Sequence, residues 1–342
     1  MTNNDGVSVV ICCYNSSKRI VATLEHLQKI DSKGIPWEVV LVDNLSDDDT
    51  VGVALNTWNK NPVTHLKFTT ASKRGLMNAR LKGVSQTTYE LISFIDDDNW
   101  VEPAWISKVY SILENDQSLA ACGGSSEPVF EKNPPAWFSE YASLYAVGKQ
   151  QEKTGYVDPK KGFLWGAGLT IRKKIWNNLF EFGFNNLLKG RSGKALTAGE
   201  DSEICYALLL REWKFWYEES LTFKHYIPEG RLNINYVLKA YEGFGKAQVI
   251  LSLYLGYINK ISTNKSSWML QCLASLKMLG LTGLKYAFST NKNKIKNKVM
   301  WRHDKAYTFE LLFNRVRYNE ARQQIVQIDY APKYTEDFVL AY

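Results

Sequence analysis

An α/β fold built on a mainly parallel sheet is what the first hundred residues predict, from three observations. Short β-rich apolar runs alternate with stretches of helical period, the runs are continuously apolar, and three of them stop at polar clusters. Strand–helix alternation at this pace produces right-handed βαβ units. Continuous apolarity is what strands covered on both faces require.

Val7–Cys13 is the first such run, closed by Tyr14-Asn15-Ser16-Ser17, residues suited to a turn and a helix N-cap. Ile20, Leu24, Leu27 and Ile30 then recur at helical spacing. Trp37–Val42 is a second strand ending at Asp43-Asn44, and Asp47–Thr50 opens a helix, with its acids at the positive end. His65–Thr69 reads as a strand, Arg74–Val84 as a helix, and Glu90–Ile95 as a strand stopping at Asp96-Asp97-Asp98. Trp105, Val109 and Ile112 mark one face of a further helix.

Beyond Ala120 the rhythm breaks. Residues 124–161 read as loop, rich in proline and in aromatics such as Trp137, Tyr141 and Tyr156, which suit either a core or a saccharide-stacking platform. Phe163–Ile171 reads as a strand containing Gly166-Ala167-Gly168. A Gly/Ser/Lys loop, Leu187–Gly199, leads into a helix over Glu200–Leu210. Two short strands, Lys214–Tyr217 and Leu221–His225, precede a region that is helical from about Leu232 except for the lysine-rich Thr290–Lys298.

The 342 residues, 45% hydrophobic and 23% charged, exclude a disordered or collagenous chain. The net charge of +7 is concentrated: residues 243–305 hold eleven Lys or Arg against one acid, Asp304, a local +10. The remainder has 31 basic and 34 acidic residues and is therefore −3, which argues against a nucleic-acid partner. Five cysteines without a C-x-x-C pair, and an N-terminus lacking a basic region and apolar core, fit a cytoplasmic protein without a signal peptide. The longest stretch free of charge and histidine, Ala247–Asn259, is thirteen residues, short of the roughly 18 a spanning helix needs.

In open α/β sheets ligands bind beyond the carboxyl ends of the strands. Here those ends carry Cys13-Tyr14-Asn15, Asp43-Asn44 and Asp96–Asp98. An acidic strand end is a solvated turn or a site for a hard divalent cation, which takes carboxylates together with substrate phosphates. Glu200-Asp201 after a glycine is an acidic helix start or a general base. His225, ending a short strand, is a core histidine or a ligand for Mn²⁺. Gly190–Ala195 lacks P-loop spacing, and neither H-E-x-x-H nor G-x-S-x-G occurs.

Taken in order, Val7–Asn15, Glu38–Asp47, Gly75 with Ala79-Arg80 and Gly83, Phe94–Asp98, Gly166–Gly168 and Gly199–Asp201 resemble the motifs of family 2 glycosyltransferases of the GT-A fold over roughly residues 5–235. The resemblance implies a GT-A catalytic domain over 1–235, with a nucleotide-binding half (1–100) and an acceptor-side half (101–235). A helical C-terminal region, 236–342, would carry the basic segment 290–305. It implies inverting transfer from a nucleotide-sugar, a UDP-sugar favoured, to a saccharide or lipid-linked saccharide acceptor, as in bacterial surface polysaccharide synthesis. Tyr14, Asn15, Asp43 and Asp96 would bind the donor. Lys73, Arg74 and Arg231 would face the diphosphate, Asp98 and His225 would hold Mn²⁺ or Mg²⁺, and Asp201 or Glu200 would be the base. Cys12-Cys13 and Asp43-Asn44 depart from the family's commoner Pro-Thr and Asp-Asp. The lysines and apolar helices of residues 236–305 fit either a helical cap or contact with the inner membrane surface. A sugar-phosphate nucleotidyltransferase would want a glycine-rich loop after the first strand, which Tyr14–Ser17 does not provide. A non-catalytic glycan- or lipid-binding scaffold is the third reading.

Overall fold

The structure, a computed structural model, describes residues 4–160, 162–188, 190, 199–259, 268–291 and 293–330. The chain divides into two compact units. The first comprises Met1–Asp158, Leu164–Asn178 and Lys214–Leu232; the second comprises Pro159–Phe163, Leu179–Trp213 and Asn233–Tyr342.

The first unit is built on a nine-stranded sheet. β1 (Val7–Cys13), β2 (Trp37–Asp43), β3 (His65–Thr70) and β4 (Leu91–Phe94) alternate with α1 (Ile20–Leu27), α2 (Thr50–Trp58) and α3 (Leu76–Val84). These strands pair in parallel in the order β3-β2-β1-β4, as the alternation requires. Beyond β4 the sheet is mixed. β5 (Asn99–Val101), α4 (Trp105–Asn115), β6 (Leu119–Phe130), β7 (Gly155–Tyr156), β8 (Thr170–Arg172), α5 (Lys173–Glu181) and β9 (Lys214–Ile227) follow in the chain, and the spatial order continues β8-β6-β9-β5 with β7 on β9. Among the described residues of this half, β6 and β9 are the parallel pair.

Alternate β1 residues face opposite layers. Val7, Val9 and Ile11 join Leu24 and Leu27 of α1, Trp58 of α2, and Trp105 and Val109 of α4 in one buried cluster. Val10 points the other way, to α3, where a side chain at Gly83 would approach it to 2.5 Å. Strands covered on both faces explain the mostly apolar β1 and β2, whose buried Ser8 donates to Glu38 (2.8 Å).

Three expectations are corrected. Residues 124–130, read as the start of a loop region, belong to a strand, Leu119–Phe130. Gly124 permits it, since a Cβ there would lie 1.8 Å from the Leu221 carbonyl oxygen. Gly124→Ala is therefore expected to lower the unfolding free energy by about 2–3 kcal/mol, read from urea denaturation, because the obstacle is backbone. Phe163–Ile171 is a strand only at its end, as Gly168 takes a positive φ (75°) and packs where a Cβ would meet Phe223 and Trp105 at 3.0 Å. The two strands read over Lys214–His225 are one, β9, whose pairing with β6 shifts register between Gly123 and Ser125 instead of breaking. Of the aromatics in 130–165, Phe138, Tyr141 and Tyr145 are buried in a 3₁₀ segment (Phe138–Tyr145), whereas Tyr156 is exposed.

The second unit is helical: α6 (Glu200–Leu210), α7 (Ile234–Ile258), α8 (Trp268–Ala287), α9 (Lys294–Phe313) and α10 (Arg315–Tyr330). Gly245 of α7 lets α9 approach, since a Cβ there would come within 2.3 Å of His303 O. Lys294, Lys296 and Lys298, read as loop, lie in the first turns of α9. Positive charge is unfavourable at a helix N-terminus, but packing offsets it: Val299 is buried and Trp301 stacks on Tyr286. Residues 191–198 of the Gly/Ser/Lys loop and Lys292 lie outside the described residues. No helix among the described residues is long and apolar enough to cross a membrane.

Candidate active site

The parallel register of β1 and β2 sets Cys13 beside Asp43, so the turns that follow share one edge. Asn15 and Leu45 both adopt left-handed φ, which turns each loop back over its strand. The loops are then tied together: Asn15 N–H donates to Ser46 Oγ (3.0 Å), and Asp47 N–H to Asn15 Oδ1 (2.7 Å). Asp43 is almost buried and accepts from Ser46 N–H (3.1 Å). Asn44 accepts from Gly75 N–H (3.1 Å), anchoring the loop that carries Lys73 and Arg74. Arg74 itself donates to both Asp47 carboxylate oxygens (2.8 and 2.9 Å) and lies over the Tyr14 ring. Tyr14 O–H also reaches Asp47 (3.4 Å). Tyr14, Asn15, Asp43 and Arg74 thus lie on linked loops at one edge of the sheet, with Arg74 engaged by Asp47; Lys73 is exposed.

The three aspartates after β4 have three different environments. Asp96 begins a turn closed by Asn99 N–H to its carbonyl (3.0 Å). Asp97 turns inward, where Ser16 Oγ and Arg19 (2.7 Å) donate to its carboxylate and Thr23 Oγ1 to its carbonyl (2.9 Å). It is a brace locking the Tyr14–Ser17 turn to the aspartate loop. Burial, and the neighbouring Asp98, push its carboxyl above the ordinary range despite Arg19. Sequence reasoning passed over Asp97 and Arg19; the available signal was the third acid in the run.

Asp98 meets two nitrogen-bearing side chains, His225 and Arg231. β5 pairs antiparallel with β9, Asn99 opposite His225, and Tyr226 N–H donates to Asp98 O (2.9 Å). This register sets His225 Nε2 3.4 Å from Asp98 Oδ1. The 3₁₀ turn Glu229–Arg231 supplies Arg231 NH1 at 3.2 Å from Oδ2. Burial would raise the Asp98 carboxyl, but His225 and Arg231 outweigh it and hold it well below the usual range.

A hard oxygen beside an imidazole nitrogen is a donor pair that suits Mn²⁺. A separation of 3.4 Å is near the ~3 Å expected between adjacent ligands of one octahedral ion with bonds of ~2.1 Å. Among the described residues no group of three or more His, Cys, Asp or Glu could hold a metal, so further ligands would come from bound phosphates and water. Within those limits Asp98 and His225 fit a divalent cation.

Glu200 and Asp201 open α6 in the second unit after Gly199, whose φ is +98°. Glu200 is buried, and a Cβ on Gly190 would come within 2.7 Å of its Cδ; Asp201 is half-buried and accepts from Ser202 N–H (2.8 Å). Two residues on, Glu203 is fully buried and accepts from Leu187 N–H (3.2 Å), Leu188 N–H (2.8 Å) and Tyr254 O–H (3.4 Å). Arg317 donates to Leu187 O (2.7 Å) and to Glu310 (2.8 Å), and Gln324 donates to Tyr254 Oη (2.9 Å). The stretch entering the carboxylate loop is thereby fastened to α6, α7 and α10. Sequence reasoning missed Glu203, which looked like one more acid in an acidic first turn.

Burial pushes the Glu203 carboxyl up to about 7, against the pull of the Leu188 and Leu187 amides, Arg317 and Tyr254. A carboxyl raised in the folded state above its ordinary 4.5 stabilises the fold when protonated. That contribution is complete below about pH 4.5 and is lost as pH rises to about 7. Glu203→Gln, neutral throughout, is expected to flatten this fall, changing the wild-type-minus-variant unfolding free energy by on the order of 2 kcal/mol between pH 5 and 8.

The chain is similar to known proteins in sequence and in fold. The sequence model of the family described as Glycosyl transferase family 2 matches residues 8–180. EpsH of Bacillus subtilis, named as a glycosyltransferase, is 27% identical over 177 residues, 51% of this chain and 46% of its own length. The cholesterol galactosyltransferase of Borreliella burgdorferi is 29% identical over 118 residues, 34% of this chain and 31% of its own. The chain thus spans less than half the length of these curated relatives. Among solved structures, the mannosyltransferase PcManGT from Pyrobaculum calidifontis, in complex with GDP-Man and Mn²⁺, superposes with TM-score 0.55 at 14% identity, covering 92% of this chain and 89% of that one. S. aureus TarS 1–349, in complex with UDP-GlcNAc, gives 0.51 at 14% identity over 89% of this chain and 91% of that one. These likenesses show the GT-A fold, and with the family match over half its length the chain belongs to glycosyl transferase family 2.

Proposed function

We propose that the protein is an inverting glycosyltransferase that moves a sugar from a nucleoside-diphosphate-sugar to an acceptor hydroxyl. The observation that carries this reading is the Asp98–His225–Arg231 cluster, standing beyond the parallel strands whose loops hold Tyr14, Asn15 and Asp43. The proposed donor is a UDP-sugar, in keeping with the UDP-GlcNAc complex of TarS, and the proposed acceptor is a saccharide or lipid-linked saccharide. The setting is surface-polysaccharide synthesis in the cytoplasm, at the inner membrane face. The functional division proposed is a catalytic domain over 1–235 and a helical region over 236–342; it differs from the two compact units, the second of which includes α6.

Asp43 and Asn15 bind the nucleoside, Tyr14 and Arg74 wall its site, and Asp96 meets the ribose. Arg231, already beside Asp98, donates to the departing diphosphate. Negative charge grows on that diphosphate as the anomeric carbon gains oxocarbenium character, so fixed cationic donors lower the barrier. Mg²⁺ or Mn²⁺, held by Asp98 and His225, would add neutralising charge at the same oxygens. Asp201 takes the proton of the attacking hydroxyl, and attack from the face opposite the leaving group inverts the anomeric centre. Glu200, buried against Gly190, is the less available carboxylate.

The test is nucleotide release from a panel of UDP-, GDP-, dTDP- and CMP-sugars, with Mn²⁺ and with chelator. Release from one donor, lost on chelation, is the expected result. A protein that neither turns over nor binds any donor of the panel would overturn the reading.

A further inference from the structure

We infer that the exposed side of α8 is a docking surface for an anionic lipid bilayer, with the helix lying along the interface. α8 packs on α9 by one edge. Cys272 and Ser275 are buried there, Trp268 Nε1 donates to Leu311 O (2.9 Å), Thr308 Oγ1 donates to Ser275 O (3.2 Å), and Tyr286 stacks on Trp301. The opposite side is apolar and open. Met269, Leu273 and Leu276 recur at four- and three-residue spacing, Leu284 follows about two turns on, and Phe288 lies just past the helix end, at exposures of 66%, 63%, 47%, 58% and 84% respectively. A helix of twenty residues presents this stripe over ~30 Å. Monomeric proteins rarely leave so continuous an apolar surface open without a partner for it.

Charge identifies the partner. α8 contains Lys277 and Lys285 and no acid, and the nearest acid C-terminal to it is Asp304. Lys277 stands within the apolar arc, and Lys294 follows, exposed, at the start of α9. Against a second copy of the same face, these lysines would meet lysines and leucines with no carboxylate to pair them. Against a bilayer the leucines enter the acyl boundary while the lysine stems reach back to phosphate headgroups. The local +10 of residues 243–305, on a chain otherwise at −3, favours a negatively charged partner for this region. The inference deepens the membrane-face setting proposed above and rests on it for its purpose only, because its test uses neither donor nor acceptor.

The test is co-sedimentation of the full chain with vesicles of phosphatidylcholine, alone or with one part in three of phosphatidylglycerol. Binding to the mixed vesicles, weak on the neutral ones and weakened by salt, is expected. Leu273→Glu/Leu284→Glu should bind at least tenfold more weakly. Lys277→Gln/Lys285→Gln should lose roughly fivefold per lysine, a change of solvated side chains that leaves folding intact. Both variants should melt as the wild type does and keep its donor turnover in the absence of vesicles. Failure of the wild type to bind the mixed vesicles, or wild-type binding by both variants, would overturn the inference. Light scattering showing a dimer that the leucine variant dissolves would assign the face to a second copy.

Discussion

Replacing Asp98 with alanine is expected to lower metal-dependent nucleotide release by about 10²–10³-fold, the cost of removing one preorganised electrostatic contact from a transferase site. The carboxylate is buried, held ionised by His225 and Arg231, and fixed by the strand register that brings Tyr226 N–H to its carbonyl. Its loss leaves His225 and Arg231 without their shared acceptor. Arg231 is partly exposed and turns to water, so the thermal stability of the variant should stay close to that of the wild type. Asp98→Asn keeps the shape and removes the charge. If charge is the contribution, it should fall as far as alanine in turnover and require a higher Mn²⁺ concentration for what activity remains. Wild-type turnover by both variants would remove Asp98 from the site.

Asp201→Asn is expected to lower transfer by about 10²–10⁴-fold while donor affinity stays within about twofold, since a general base acts on the acceptor proton and not on the nucleotide. The contrasting variant is Glu200→Gln. Glu200 is packed against Gly190 beneath the start of α6, whereas Asp201 is half-buried beside it. A loss under tenfold is therefore expected for Glu200→Gln, measured as kcat with a fixed acceptor. Equal losses in the two variants, or a larger one at Glu200, would reassign the base. Because Glu203 fastens the stretch ahead of these carboxylates, its variant should be compared below pH 7, where the native carboxyl is protonated.

The parallel half of the sheet was legible because each of its parts is a local signal. β1, β2 and β4 are mostly apolar runs, interrupted only by the buried Ser8, Glu38 and Ser93, α1 has a regular 3.6-residue stripe, and polar residues follow each strand. The second half was not. Gly123-Gly124 and Pro128 look like loop residues, and only the Leu221 carbonyl shows that Gly124 is required by a strand crossing close to its partner. Likewise the lysines opening α9 obey no helix-start rule; the helix is held by Trp301 on Tyr286 and by the buried Val299. These are tertiary preferences overriding local ones.

For the site, the sequence by itself determined which groups are available: the acids after β4, the pair opening α6, and a histidine at a strand end. It also determined the charge asymmetry of the C-terminal helices, since charge is a property of composition. Only the tertiary structure decided what each acid does. Three consecutive aspartates are chemically identical, and burial and neighbours separate them. Asp97 becomes a brace because Arg19 and Ser16 reach it from the first loop, and Asp98 becomes a charged site because β9 returns antiparallel and carries His225 to it from 127 residues away in sequence. No local pattern encodes that register, because it depends on pairing between strands that the chain joins only after building the rest of the sheet.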